Sequence, residues 1–190
     1  MHTRHKSLLI LACILGAVNG AERAPESREA TAQPPETVGT KAGVERDDNS
    51  LKVKLVWCPP GEFTMGSPKT EKYRRSDAED QVEVRLTKEF WIGKYEVRQG
   101  EWERVMGTTP WKGNVYVKES PRYAATSVSW EDATEFVAKL TTQEPQAGRL
   151  PAGWRYTLPT EAPWEYACRA GTQTAYDVGS DESRLSDYAW

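Results

Sequence analysis

The chain has 190 residues, 28% of them charged, and a formal net charge of −3, so it is long enough for one sizeable core and needs no second. The mildly acidic balance gives no basic footprint for nucleic acid. The only two histidines, His2 and His5, lie in the first few residues; the rest of the chain cannot build a Ser-His-Asp triad, a Cys-His pair or an imidazole zinc site.

Met1 to Gly20 reads as an export signal. Arg4 and Lys6 form a basic start, Leu8 to Val18 a short apolar run, and Val18 with Gly20 the −3 and −1 positions of a cleavage site. The run is too short to span a bilayer, so no membrane anchor is expected after cleavage. A lipoprotein reading, with Cys13 acylated after Ile10-Leu11-Ala12, is weakened because the apolar run continues past Cys13. Cleavage removes both histidines and makes the remainder two charges more negative. It also leaves Cys58 and Cys168 as the only cysteines, in an oxidising, extracytoplasmic setting.

Residues 21–50 are rich in Ala, Glu, Pro and Thr and contain no aromatic residue, which predicts a disordered linker. Order is expected from Leu51. Val53, Leu55 and Trp57 alternate as a strand with Cys58 as a buried thiol, Pro59-Pro60-Gly61 turns the chain, and Glu62 to Met65 makes a second strand. The acidic residues Asp77, Glu79 and Asp80 lack the glycine-hinged spacing of a calcium loop and read as a solvated loop. Val82, Val84 and Leu86 form the inward side of a half-buried strand that leads into Phe90-Trp91-Ile92-Gly93.

Trp102, Val105 and Met106 make the buried side of a short helix ended by Gly107, with Arg98 where a better N-cap is usual. Trp111, Tyr116 and Tyr123 punctuate the loop 108–125, and pinning of the loop is favoured over a recognition surface. Ser129 and Asp132 form a capping box, and Ala133, Phe136, Val137 and Leu140 form a stripe at helical spacing. After the strand Trp154 to Leu158, Thr160 stands at an N-cap, Trp164, Ala167 and Cys168 share one face expected to be buried, and Gly171 stops the helix.

Four stretches, PPGEFTMGS (59–67), FWIGKYEVRQGEWERVMG (90–107), TSVSWEDATEF (126–136) and YTLPTEAPWEYACRAG (156–171), resemble in order the signature words of the formylglycine-generating enzyme, or sulfatase-modifying factor, family. Thr157, Pro163, Arg98, Ala125 and Thr126 depart from the usual residues. The resemblance implies an α+β domain with a C-type-lectin-like fold, low in regular structure, and covers residues 51–190 as the N-terminal, incomplete part of such a domain.

In active members a pair of cysteines near the C-terminal end binds copper(I) and oxidises a cysteine in a C-x-P-x-R motif of a sulfatase to formylglycine; some members hold calcium. Two thiolates suit copper(I). No residue of this chain matches that pair, so no catalytic, cofactor-binding or metal residue is assigned, and copper and calcium are implied by resemblance alone. A disulfide partner for Cys168, where members have one, would lie in the later half of the domain. The first expectation is the N-terminal portion of an exported formylglycine-generating-type oxidase, inactive as it stands. The alternative is a non-catalytic extracytoplasmic binding or assembly module on the same scaffold, acting on a sulfatase or other exported protein. An iron-dependent sulfoxide synthase ranks last, since its histidine ligands are missing.

Overall fold

The computed structural model describes residues 14–17 (backbone), 39, 41–75, 77–146, 149–150, 152–176 and 179–187. The expected export signal lies outside them except for Ile14–Ala17, as does the expected linker through residue 38. In chain order the elements are β1 (Ile14–Ala17), β2 (Glu45–Arg46), β3 (Leu55–Cys58), β4 (Gly61–Met65), β5 (Val82–Leu86), β6 (Phe90–Gly93), α1 (Gln99–Met106), α2 (Trp130–Gln146), β7 (Trp154–Thr157), α3 (Glu161–Arg169) and a 3-10 turn, Glu182–Asp187. This is an α+β chain with few regular elements. It divides into two units, residues 1–59 with 89–158, and residues 60–88 with 159–190.

In the first unit five strands form one sheet in the order β2-β3-β6-β1-β7, with every neighbouring pair antiparallel. Leu55, Trp57 and Cys58 on β3 and Phe90 and Trp91 on β6 are all buried. Adjacent strand residues point to opposite faces, so these two strands are covered on both sides. Trp57 and Trp91 lie directly opposite each other with ring centroids 5.0 Å apart.

Helices α1 and α2 complete this core as the apolar spacing predicts. Trp102 of α1 stacks on Phe136 of α2 at 5.3 Å and 5°, and its indole N–H donates to Thr108 Oγ1 at 3.1 Å. Gly107 ends α1 with φ +70°, the left-handed value that favours glycine. The cap of α1 is one-sided: the Glu101 carboxylate accepts the Arg98 N–H at 2.7 Å, while a guanidinium has no lone pair to return the bond. At α2 both halves of the box form, with Ser129 N–H donating to Asp132 Oδ2 at 2.9 Å and Asp132 N–H to Ser129 Oγ at 3.0 Å.

The loop 108–125 is pinned from inside. Trp111 is buried, and the buried Gln99 side chain donates to Lys118 O at 2.9 Å and accepts Ser120 N–H at 3.0 Å. Tyr116, 95% exposed, takes no part in the pinning.

Residues 41–50, which composition places in a linker, carry structure. β2 pairs with β3, the Arg46 guanidinium sits 5.3 Å from the Trp91 ring centroid, and buried Asn49 clamps Val53 through both its N–H (3.0 Å) and its carbonyl (2.7 Å). Composition averages over a segment and does not register a few residues recruited by a strand such as β3.

In the second unit β4 and β5 form a two-stranded antiparallel sheet against which α3 packs. Val84 and Leu86 are half-buried but Val82 is exposed. α3 buries no residue fully, and Cys168 is exposed rather than covered by Trp164. The face that meets β4 carries Tyr166, whose ring lies edge-on to Phe63 at 5.4 Å, because a two-stranded sheet covers only a narrow strip of helix. Thr160 holds the N-cap position with extended backbone but makes no side-chain cap bond. The stop comes one residue early, with Ala170 already left-handed at φ +47° before Gly171 at φ +90°.

Candidate functional site

The signature words converge on structural locks. On α3, Glu165 and Arg169 are one helical turn apart and paired at 2.8 Å. Glu165 Oε1 also accepts the Gly66 N–H at 2.9 Å, and Arg169 Nη2 donates to Gly66 O at 2.9 Å, so both backbone groups of Gly66 are held by one ion pair. Gly66 has φ +93°, and a Cβ there would stand 2.6 Å from Asp80 O. Gly66, the second glycine of PPGEFTMGS, and the E-Y-A-x-R core of α3 are therefore two halves of one clasp.

A second lock sits in the first unit. Glu144 is completely buried and accepts the Ser50 N–H at 2.9 Å, the Ser50 hydroxyl and Arg149 Nε at 2.8 Å. No catalytic or ligand motif in the sequence includes Glu144. The available signal was its spacing, since it stands four residues after Leu140 and seven after Val137, a carboxylate continuing the apolar stripe.

The metals implied by resemblance do not fit the described side chains. Cys58 is a buried thiol on β3, pushed up to about 11 by burial. Cys168 is an exposed thiol on α3. In the acidic loop Asp77 pairs with Arg75 at 3.4 Å, Asp80 with Arg74, and Glu79 accepts the Ser67 hydroxyl at 3.2 Å, so the carboxylates are turned to their own neighbours. Among the described residues no group of three or more His, Cys, Asp or Glu side chains could hold a metal ion.

What the first unit does offer is strand β7 and its two flanks. On its outer flank lies a groove of about 480 Å³, lined mainly by apolar atoms of Trp130, Val137, Ala138, Tyr156 and Leu158, with Arg155 at its side. Trp130 leaves 61% of its surface exposed there. Thr141 of α2 fastens the strand, its Oγ1 accepting Tyr156 N–H at 2.9 Å and lying 3.3 Å from Tyr156 O. On the inner flank β7 pairs with β1, and β1 in turn with β6. An apolar groove of this kind takes apolar side chains of a ligand.

The model of the Sulfatase-modifying factor enzyme 1-like domain matches residues 40–190. The chain belongs to this family. It is 31% identical over 152 residues to the chaperone protein LppX of Paenibacillus barcinonensis, a match covering 66% of this chain and 50% of that protein. It is also similar to the solved structure of PvdO from Pseudomonas aeruginosa, with a TM-score of 0.63 and 27% identity over 76% of this chain and 57% of that one. The chain thus spans only about half the length of these relatives. The family match begins at residue 40, and it supports the sulfatase-modifying-factor-like α+β fold read from the four sequence words.

Proposed function

We propose that the chain is a non-catalytic, extracytoplasmic binding or assembly module built on the family scaffold, acting on an exported protein. The observation that carries this reading is the use made of the signature residues: Glu165, Arg169, Gly66, Glu101, Ser129 and Asp132 are all spent on backbone hydrogen bonds that hold the fold. The oxidase reading asks for a thiolate pair, whereas the two described cysteines sit in different settings, Cys58 buried on β3 and Cys168 exposed on α3. Two further observations support the module reading. The basic start and short apolar run of Met1 to Gly20 suit export, and a similar protein, LppX, is named a chaperone.

The test is aggregation of an exported model protein. Reduced α-lactalbumin, followed by light scattering, should aggregate more slowly in the presence of the full chain at equimolar ratio than in its absence. Scattering curves unchanged at a tenfold excess of the chain would overturn the reading.

A further inference from the structure

Strand β5 reads Val-Glu-Val-Arg-Leu and pairs with β4; among the described residues no strand lies along its other edge. Edge strands are commonly blunted by proline, lysine or a bulge, and Val82–Leu86 contains none of these, keeping an unbroken register with β4. Its side chains alternate. Val82, Val84 and Leu86 share the face that carries Phe63 and, against it, Tyr166 of α3, while Glu83 and Arg85 share the opposite, polar face. An isolated two-stranded ribbon is marginal in water, and a helix or added strands stabilise it. Helix α3 supplies part of that cover and leaves Val82, at the end of the apolar row, 48% exposed.

Bonds beside β4 show which backbone groups of β5 face outward. Ser67 N–H donates to Glu79 O, on the chain leading into β5, while Gly66 gives both its backbone groups to the Glu165–Arg169 pair of α3. Alternation along β4 then turns Met65, Phe63 and Gly61 towards β5. Their partners Val82, Val84 and Leu86 bond to β4, so Glu83 and Arg85 turn their N–H and carbonyl groups to the free edge.

Those two residues have opposite charge and stand symmetrically about Val84. When a second β5 runs antiparallel alongside, with the twofold axis at Val84, Glu83 of each copy lies opposite Arg85 of the other. Each such pair exchanges two backbone hydrogen bonds and sets unlike charges side by side. Val82 then lies opposite Leu86 of the second copy, which continues the apolar row across the junction. On the polar face Arg85, 3.4 Å from Glu62 within its own chain, would have Glu83 of the second copy on its other side, so the charges alternate. The register is selective. A slip of one residue sets outward groups against inward ones, and a slip of two sets Glu83 against Glu83 or Arg85 against Arg85.

We propose that β5 is a self-association edge, through which two copies of this chain form a twofold-symmetric dimer with a continuous four-stranded sheet in the order β4-β5-β5-β4. The charge order selects the occupant: read antiparallel, the same strand presents arginine where glutamate faces it and glutamate where arginine does. The dimer goes beyond the binding-module reading and stands whether or not the chain protects other proteins from aggregation.

Sedimentation velocity of the full chain, from micromolar to millimolar concentration, should show a monomer–dimer equilibrium. Glu83→Arg and Arg85→Glu alter exposed side chains and leave the β4 ladder intact. Each puts like charges into both symmetric pairs and should raise the dimer dissociation constant at least tenfold. Mixed in equal amounts, the two variants again oppose unlike charges and should form a heterodimer at least tenfold tighter than either variant's own dimer. Hydrogen exchange places the contact: the Glu83 and Arg85 amides should exchange at least tenfold more slowly at millimolar than at micromolar concentration, with Val82 and Val84 unchanged. A chain that stays monomeric throughout, a dimer indifferent to both variants, a mixture that fails to associate, or exchange at Glu83 and Arg85 that ignores concentration each overturns the proposal.

Discussion

Replacing Glu144 should be among the most damaging single changes in the first unit. Its carboxylate is fully buried and serves three donors, two on Ser50 and one on Arg149. Truncating one member of a buried pair ordinarily costs about 3–5 kcal/mol, because the partner is left uncompensated. Arg149 keeps 36% of its side chain in contact with solvent and can turn to water, which places Glu144→Ala near the lower end, about 3 kcal/mol. Glu144→Gln keeps an acceptor for Ser50 and loses the charge facing Arg149, so it should cost about 1.5 kcal/mol, the low end for a hydrogen bond to a charged group. Urea unfolding followed by tryptophan fluorescence separates the two. With a slope of about 2 kcal/mol per molar, the midpoint should fall by about 1.5 M for alanine and by about half that for glutamine. An alanine variant within about 0.5 kcal/mol of the parent, the range of ordinary surface changes, or a glutamine variant as damaged as alanine, would refute the idea that the pair anchors residues 49–53 to α2.

Three further changes probe other parts of the fold. Phe136→Ala removes a fully buried ring stacked on Trp102 and should cost about 3–5 kcal/mol in the same urea assay. Asp132→Asn tests the capping box through pH. The Ser129 N–H, and then its hydroxyl, hold the Asp132 carboxyl below its ordinary value. A carboxylate with a depressed folded value stabilises above its unfolded pKa, and that contribution is lost as pH falls through the folded one. The melting temperatures of parent and variant should therefore differ at neutral pH and converge in acid, and a gap independent of pH would contradict the assignment. Glu165→Ala strips the Gly66 N–H and Arg169 of their shared acceptor and should raise proteolysis within residues 60–88 severalfold, as read by mass spectrometry of limited digests.

Local chemistry made much of the fold legible. The Ser129 and Asp132 box, the stripe through Ala133, Phe136, Val137 and Leu140, the stop at Gly107 and the buried thiol of Cys58 depend on residues a few positions apart, and all stand as the sequence indicates. What stayed hidden depends on distant partners. Ile14–Ala17 finds β6 and β7 at separations no periodicity reports, and the burial of the Glu144 carboxylate on the apolar stripe makes sense only once Ser50 is placed against it. Cys168 is exposed where the spacing on α3 predicts burial, because spacing shows which residues share a face and not how wide the surface opposite is. The candidate site was the least legible part. The four signature words point to the family correctly, yet their side chains turn out to build clasps and caps, while the surface best suited to binding lies along β7, where the sequence offered only a short strand.

If the chain is the non-catalytic module proposed above, it does not oxidise cysteine. Incubating the full chain with copper(I), oxygen, a thiol reductant and a peptide containing C-x-P-x-R, and following the peptide by mass spectrometry, tests this. The peptide cysteine should remain unconverted over many hours. Its conversion to formylglycine, dependent on the chain and abolished by Cys58→Ala or Cys168→Ala, would contradict the account.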